Sequence, residues 1–550
     1  MRIWRINFIL IFIFLFGVII IGRLFYIQIL NHQYWRALAQ GQQKSFVSLK
    51  GERGEIFFRD GRPLAINRNF DLVYATPNEI KKPAETAQIL KLVLNLDETT
   101  ISKKLKRDSF YEIIKKKLTE KEVSDLKKVN LAGIYLGQET GRYYPFGDLA
   151  SKVIGFLGGD DRGQYGVEGY YEKTLKAEDG FLEKERGPLG YLIDGSSSEL
   201  KKGSDITLTL NYNIQFVAEK LLKSAEENLD FEEGEIIVIN PLSGEILALA
   251  NFPNFDPNQY SENTNLEIFK NSSIQKCFEP GSIFKPITLA AALDQEKITP
   301  QTTYVDKGAV KIGGYTIYNY NKKTWGERTM TEVLEKSINT GAVFVESQLG
   351  HQLFLDYIER FGFFKPSEID LQGEVFSQNK EFKKGYEVNF ATASFGQGVG
   401  ITSIQLARAF SAIANAGKLV KPYIVKNDRE NLGEQVISPK TASQLTAMLV
   451  SVVEQGFAQK AKIPGYYIAG KTGTALVSWS GLGIDKKGYS EKTIQSFVGF
   501  APAFDPKFLI LVKLNNPKTK DASASAVPIF RELAEYIINY WQIPSDYEYF

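Results

Sequence analysis

The 550-residue sequence predicts an α+β body, with an antiparallel sheet flanked by helices, behind a β-rich N-terminal domain and one membrane helix. Three observations predict it. The run Phe8–Gly22 is uncharged and almost wholly apolar. Residues 44–205 read as short strands and turns around one charged helical stretch. Beyond 205, strand patterns at both ends enclose a helical middle. The boundaries expected are a tail at 1–7, an anchor at 8–30, a pedestal at 31–205 and a second domain at 206–545.

The anchor comes first. Arg2 and Arg5 precede the apolar run, and Arg23 can reach back to the interface so that Leu24–Leu30 lengthens the span. The positive flank predicts an N-terminus in the cytoplasm and everything after residue 30 outside. The best signal-cleavage site, Ala37-Leu38-Ala39, lies too far beyond the apolar run, so an uncleaved single-pass anchor is expected.

In the pedestal, "RGEIFFRDGRPLA" (53–65) reads as a strand, a turn at Asp60-Gly61 and a second strand. The Lys-rich stretch 101–129 alternates charge with apolar residues at helical spacing and reads as solvated helix faces. Residues 143–175, rich in Gly and aromatics, read as loops wrapped on a platform. No catalytic constellation appears here, so a spacer or docking role is the default.

Past 205, "DITLTLNYNIQFVAEKLL" passes from alternating strand to amphipathic helix. "GEIIVINPLSGEILALANFP" (234–253) gives two apolar strands around a turn. Helices are expected from about 283 to 460. Strands return at "YYIAGKTGTALV", "SFVGFAPAF" and "FLILVKL", before the terminal helix "IFRELAEYIINYW".

Composition limits the chemistry. The 66 basic and 64 acidic residues nearly cancel, which argues against nucleic acid as a partner. One cysteine, Cys277, and two histidines, His32 and His351, exclude an intrachain disulfide and disfavour a Cys/His metal site. Cys277 is expected to be a small apolar filler. No G-x-S-x-G elbow is present, so covalent chemistry must find a base other than imidazole.

"FEPGSIFKP" (278–286) supplies one. Pro286 cannot lie deep inside a helix, which puts Ser282 near a helix start with Lys285 on the same face. There the free N–H groups favour developing negative charge, and burial disfavours a protonated lysine. Ser282 then reads as nucleophile and Lys285 as neutral base. The spacing alone is weak, since S-x-x-K also occurs at Ser124, Ser198 and Ser273. In "KSINTG" (336–341), Ser337 can relay a proton and Asn339 can bind a substrate carbonyl. In "IAGKTGTALV" (468–477), Lys471 adds positive potential, Thr472 can bind a carboxylate and Gly473 permits close approach. The N–H groups of Thr474 and Ser282 can form an oxyanion hole. "GYYIAGKT" (465–472) also matches a phosphate-loop pattern, but its residues prefer a strand and no helix follows.

Ser-x-x-Lys, Ser-x-Asn and Lys-Thr-Gly in this order resemble the penicillin-binding proteins and serine β-lactamases. "GQGVGITSIQLARAFSAIANAG" (396–417), the 53–65 segment and "YGVEGYYEKTL" extend the likeness over nearly the whole chain, most like the class B penicillin-binding proteins of the division branch. Two departures stand out: Arg59 precedes Asp60, and Asn271-Ser272 stands where the family often has Asn-Arg. The resemblance implies a penicillin-binding transpeptidase (β-lactamase-like) domain behind a dimerisation-type pedestal. It implies D,D-transpeptidation of peptidoglycan stem peptides through an acyl-enzyme on Ser282, with β-lactams acylating the same serine. Metal and organic cofactor are unnecessary. The implied partners are a polytopic glycosyltransferase and divisome proteins. An elongation role, a carboxypeptidase or β-lactamase-type hydrolase, and a β-lactam sensor are the alternatives.

Overall fold

The computed structural model describes residues 2–32, 44–49, 51–178, 180–186, 192–197, 201–380, 382–427, 432–486 and 488–548. The Ala37-Leu38-Ala39 site and Ser198 lie outside these residues. The chain forms two compact units, Met1–Gly54 with Thr174–Ser204, and Glu55–Lys173 with Asp205–Phe550.

In the first unit, the helix Arg2–Phe25 runs on through a π-turn at Tyr26–Leu30. Ile3–Leu30, 28 residues containing an 18-residue window of mean hydropathy 2.8, is long and apolar enough to cross a membrane. At about 1.5 Å per residue it exceeds the roughly 30 Å of a hydrocarbon core. The unit also holds a three-stranded antiparallel sheet with Gly180–Arg186 between Lys44–Leu49 and Leu192–Ser197. The outer strands are more than a hundred positions apart in sequence.

The second unit contains two five-stranded sheets and several two-stranded pairings. In the smaller of the five-stranded sheets, Pro63–Ala75 pairs with Ile56–Phe57, Glu112–Lys115 and Ile134–Tyr143. The turn read at Asp60-Gly61 is present, with Phe58 N donating to Arg62 O at 2.8 Å. Helices Pro83–Leu94, Glu98–Leu105 and Glu120–Val129 cover this sheet through Leu90, Leu94, Ile101, Leu105 and Leu126. The charged stretch 101–129 is thus not helical throughout. Glu112–Lys115 is a strand because Ile113 and Ile114 suit the sheet edge, and Ile114 is buried. Residues 143–175 hold short helices at Ser151–Ile154, Gly166–Tyr170 and Glu172–Leu175 among loops. Residues of this region pack on the rest of the unit: Tyr171 Oη donates to Asp370 at 2.9 Å, and Tyr144 O accepts from Asn258 Nδ2 at 2.9 Å.

The larger sheet is antiparallel throughout, in the order Ile246–Phe252, Glu233–Ile239, Phe508–Asn515, Tyr489–Ala501, Ala469–Ser478. Both faces are covered. A side chain at Gly234 would meet Leu222 of the helix Tyr212–Leu229, whereas its neighbour Glu235 accepts from Ser403 of the helix Ser403–Ala414. The first face also takes Ala526–Trp541, and Ser403–Ala414 packs with Pro439–Gln455. The helical middle carries two hairpin pairings the sequence reading missed, Thr303–Asp306 with Gly326–Thr329 and Ala309–Ile312 with Tyr315–Tyr318. Gly313-Gly314 turns the second, both at positive φ.

A charged cluster lies inside the sheet layer. Glu235 stands opposite Lys513 in register, and the two pair at 2.5 Å with 1% and 4% side-chain exposure. Ser272, Ser273 and Ser403 donate to the same carboxylate at 3.2, 2.7 and 2.5 Å. This is where Asn271-Ser272 leads: Ser272 turns inward to Glu235, and Asn271 Nδ2 donates to Lys152 O at 3.3 Å. Cys277, expected as a filler, is exposed, because it lies in the short connection between Gln275 and the nucleophile turn.

Candidate active site

The nucleophile turn is built by main chain. Gly281 has φ +62, a left-handed conformation that costs other residues about 1–2 kcal/mol. Its N–H donates to Gly396 O at 3.0 Å, and a Cβ there would lie 2.8 Å from Ala475 Cβ. From Gly281 the chain makes one 3₁₀ turn to Phe284 and enters the helix Lys285–Asp294, with Pro286 in its first turn as expected.

The strand Ala469–Ser478 lies against this turn. A Cβ on Gly473 would meet Ser496 Oγ at 2.6 Å, Ile283 Cβ at 3.1 Å and Pro280 O at 3.2 Å. Only glycine lets the two segments approach so closely.

Lys285 is fully buried, yet its ammonium group meets only neutral acceptors. Nζ donates to Ser337 O at 2.5 Å, Asn339 Oδ1 at 2.8 Å and Ser337 Oγ at 3.2 Å. Lys471, also fully buried, donates to the same Ser337 Oγ at 3.0 Å and to Thr472 O at 3.0 Å. Ser337 takes a left-handed φ of +53, which aims its carbonyl and hydroxyl at the two amines. Such strain in a non-glycine residue is a mark of functional sites. Asn339 begins the helix Asn339–Leu349, and its Nδ2 donates to Tyr318 O at 3.0 Å. That bond fixes the amide so that Oδ1 faces Lys285.

Burial and the second ammonium group at Lys471 hold Lys285 well below the ordinary lysine range. Burial lowers Lys471 to about 7. With no carboxylate among the partners of either amine, no counter-charge holds a proton on Lys285, and a lysine lowered in this way can act as a base. One hydroxyl between two amines can accept from one and donate to the other.

Of the residues singled out in the sequence, Lys285, Ser337, Asn339 and Lys471 are joined directly by hydrogen bonds. Thr472 is nearly buried beside Lys471, its Oγ1 3.5 Å from Nζ. Ser282 is half-buried on the turn, and among the described residues its hydroxyl makes no hydrogen bond, to Lys285 or otherwise. Thr474 points its hydroxyl away, accepting from Ala522 N at 3.3 Å. Sequence reasoning missed Gly281, Gly396 and the Tyr318 carbonyl. The first two carried a signal in "PGS" and "GQGVG", whereas a carbonyl leaves none.

The model of the penicillin binding protein transpeptidase domain matches residues 234–535, and that of the penicillin-binding protein dimerisation domain matches 48–208. The chain is 34% identical to stage V sporulation protein D of Bacillus subtilis, over 92% of this chain and 82% of that protein. It is 28% identical to the peptidoglycan D,D-transpeptidase FtsI of Escherichia coli, over 96% and 90%. Among solved structures, a peptidoglycan synthetase from Bifidobacterium adolescentis superposes with a TM-score of 0.71 at 25% identity, covering 92% of this chain and 98% of that one. A serine turn, two buried lysines and a Ser-x-Asn helix start, in a chain matched from pedestal to final helix, place this protein in a family: it belongs to the class B penicillin-binding proteins.

Proposed function

We propose that the protein is a membrane-anchored peptidoglycan D,D-transpeptidase of septal wall synthesis, working through a serine acyl-enzyme. Ser282 Oγ attacks the carbonyl of the penultimate D-Ala of a stem peptide, and its proton passes to Lys285. The C–N bond breaks, and terminal D-Ala leaves with a proton returned through Ser337. The amine of a neighbouring stem peptide then attacks the ester, forms the crosslink and frees Ser282. Asn339 and the 472–474 strand hold the substrate backbone, with the Ser282 and Thr474 N–H groups as oxyanion donors. β-Lactams acylate the same serine. The observation that carries this reading is the single hydroxyl of Ser337 held between two buried lysines without a carboxylate partner.

The further expectations go with it. The pedestal ends near 205, the N-terminus is cytoplasmic, the body works outside the membrane, and a polytopic glycosyltransferase and divisome proteins are its partners. The likeness to FtsI supports the septal assignment.

Fluorescent penicillin tests the nucleophile. Wild-type protein is expected to become covalently labelled and Ser282→Ala to stay dark; labelling of that variant removes Ser282 from the role. With donor and acceptor muropeptides, crosslinked dimers are expected. Trimmed monomers alone point to a hydrolase.

A further inference from the structure

The double hairpin between the nucleophile helix and Ser337 is absent from the mechanism above, yet it is fixed to the site. Asp306, buried, accepts from Gly308 N at 3.0 Å, Asn319 Nδ2 at 2.9 Å, Trp325 N at 2.7 Å and Thr340 Oγ1 at 2.6 Å. Thr340 adjoins Asn339, and Asn339 itself holds the Tyr318 carbonyl. Four hydrogen bonds to one carboxylate make this a rigid platform.

What the platform presents is basic. Residues 303–328 contain Lys307, Lys311, Lys322, Lys323 and Arg328 against Asp306 and Glu327. Asp306 is consumed inside, and Arg328 pairs with Glu332 at 3.1 Å. Among the described residues none of the four lysines has an ion pair. Lys322 and Lys323 rest on aromatic rings instead, 5.2 Å above Tyr318 and 3.8 Å above Trp325. Tyr318 and Tyr320 are 47% and 57% exposed, so the cations stand on an open ledge.

The ledge lies within reach of the chemistry. Tyr318 touches Asn339 through its carbonyl and Lys322 through its ring, so the ammonium group is no more than about 15 Å from the Asn339 amide, the span of about four extended residues.

The geometry points to a carboxylate subsite: Lys322 and Lys323 bind a free carboxylate of the stem peptide, upstream of the D-Ala-D-Ala terminus held at Asn339. This rests on the transpeptidase reading and names the part of the substrate that a small β-lactam does not use. Unpaired cations on a rigid aromatic ledge are already arranged for an anion, so little ordering accompanies binding.

The test uses full-length protein and the variant Lys322→Glu/Lys323→Glu, both positions being exposed. Charge reversal is expected to raise KM for a carboxylate-bearing stem peptide about five- to tenfold with kcat unchanged. KM for the same peptide with that carboxylate amidated is expected to stay put, as is the rate of penicillin labelling. Salt raised from about 0.1 M to about 1 M is expected to erase the carboxylate preference, since the screening length falls from about 10 to about 3 Å. An unchanged KM for the acidic peptide overturns the subsite, and so does a fall in penicillin labelling that parallels any loss. Equilibrium binding of acidic and amidated peptides to the Ser282→Ala protein needs no turnover. A preference for the acidic form that charge reversal abolishes supports the ledge; equal binding overturns it. Failure of wild-type protein to take label is a separate result and falls on the transpeptidase reading.

Discussion

Gly281→Ala tests the geometry of the nucleophile turn in isolation from its chemistry. Two costs follow from the structure. Alanine at φ +62 is strained by about 1–2 kcal/mol. Its Cβ would also stand 2.8 Å from Ala475 Cβ, where carbon atoms prefer about 3.5–4.0 Å, so turn and strand must separate by about 1 Å. Overpacking of this kind costs about 1–3 kcal/mol. A displacement of about 1 Å at a reacting group is worth about a hundredfold in rate. Stopped-flow acylation with a chromogenic β-lactam is therefore expected to slow by about two orders of magnitude. Ala475→Gly in the same chain relieves the clash and leaves the φ strain, so the double variant is expected to recover at least tenfold, an interaction that a double-mutant cycle reads directly. Acylation by Gly281→Ala within threefold of wild type refutes the reasoning, as does a double variant no faster than the single one.

Three other outcomes follow from the buried charges. Asn339→Asp puts a carboxylate 2.8 Å from Lys285 Nζ, favours the protonated amine and is expected to move the rising limb of the acylation pH profile to higher pH; an unmoved limb denies Lys285 the role of base. Lys471 is lowered to about 7 from 10.5, so between those values the unfolded chain holds a proton that the folded one lacks, and stability rises with pH. Urea midpoints are expected to climb from pH 7.5 to 9.5 in wild type and to climb less in Lys471→Met. Lys513→Met leaves Glu235 charged and buried and is expected to cost about 3–5 kcal/mol, whereas Glu235→Leu with Lys513→Met is expected to restore the denaturation midpoint.

Much of the architecture was legible because local patterns set it. The apolar run dictates a helix, the 53–65 segment closes its own hairpin, and short unbroken apolar runs mark strands of the larger sheet, which is covered on both faces. What escaped depends on distant partners. Glu112–Lys115 sits inside a helix-like charge pattern and becomes a strand only because Pro63–Ala75 offers an edge. Lys44–Leu49 finds Gly180–Arg186 across an intervening sheet and its helices, a separation that no local window sees. In the site, Ser-x-x-Lys, Ser-x-Asn and Lys-Thr-Gly announced themselves by composition and order. The ties between them did not: the left-handed φ of Ser337, the Tyr318 carbonyl on Asn339 and the clasp of Gly281 by Gly396 are backbone events. Cys277 was misjudged because burial is set by the path of the chain rather than by residue type.

The Glu235–Lys513 pair has a consequence for assembly. The two charges face each other across neighbouring strands, on the side that supplies three serine hydroxyls. A slip of one position would turn Glu235 to the face of Gly234, where the nearest atoms belong to the apolar side chains of Leu222 and Phe231. Apolar neighbours such as Ile236, Val238 and Leu511 would tolerate that slip far better. The ion pair therefore acts as a checkpoint on strand alignment, and a chain lacking both charges is expected to keep its stability while admitting misaligned sheets during folding.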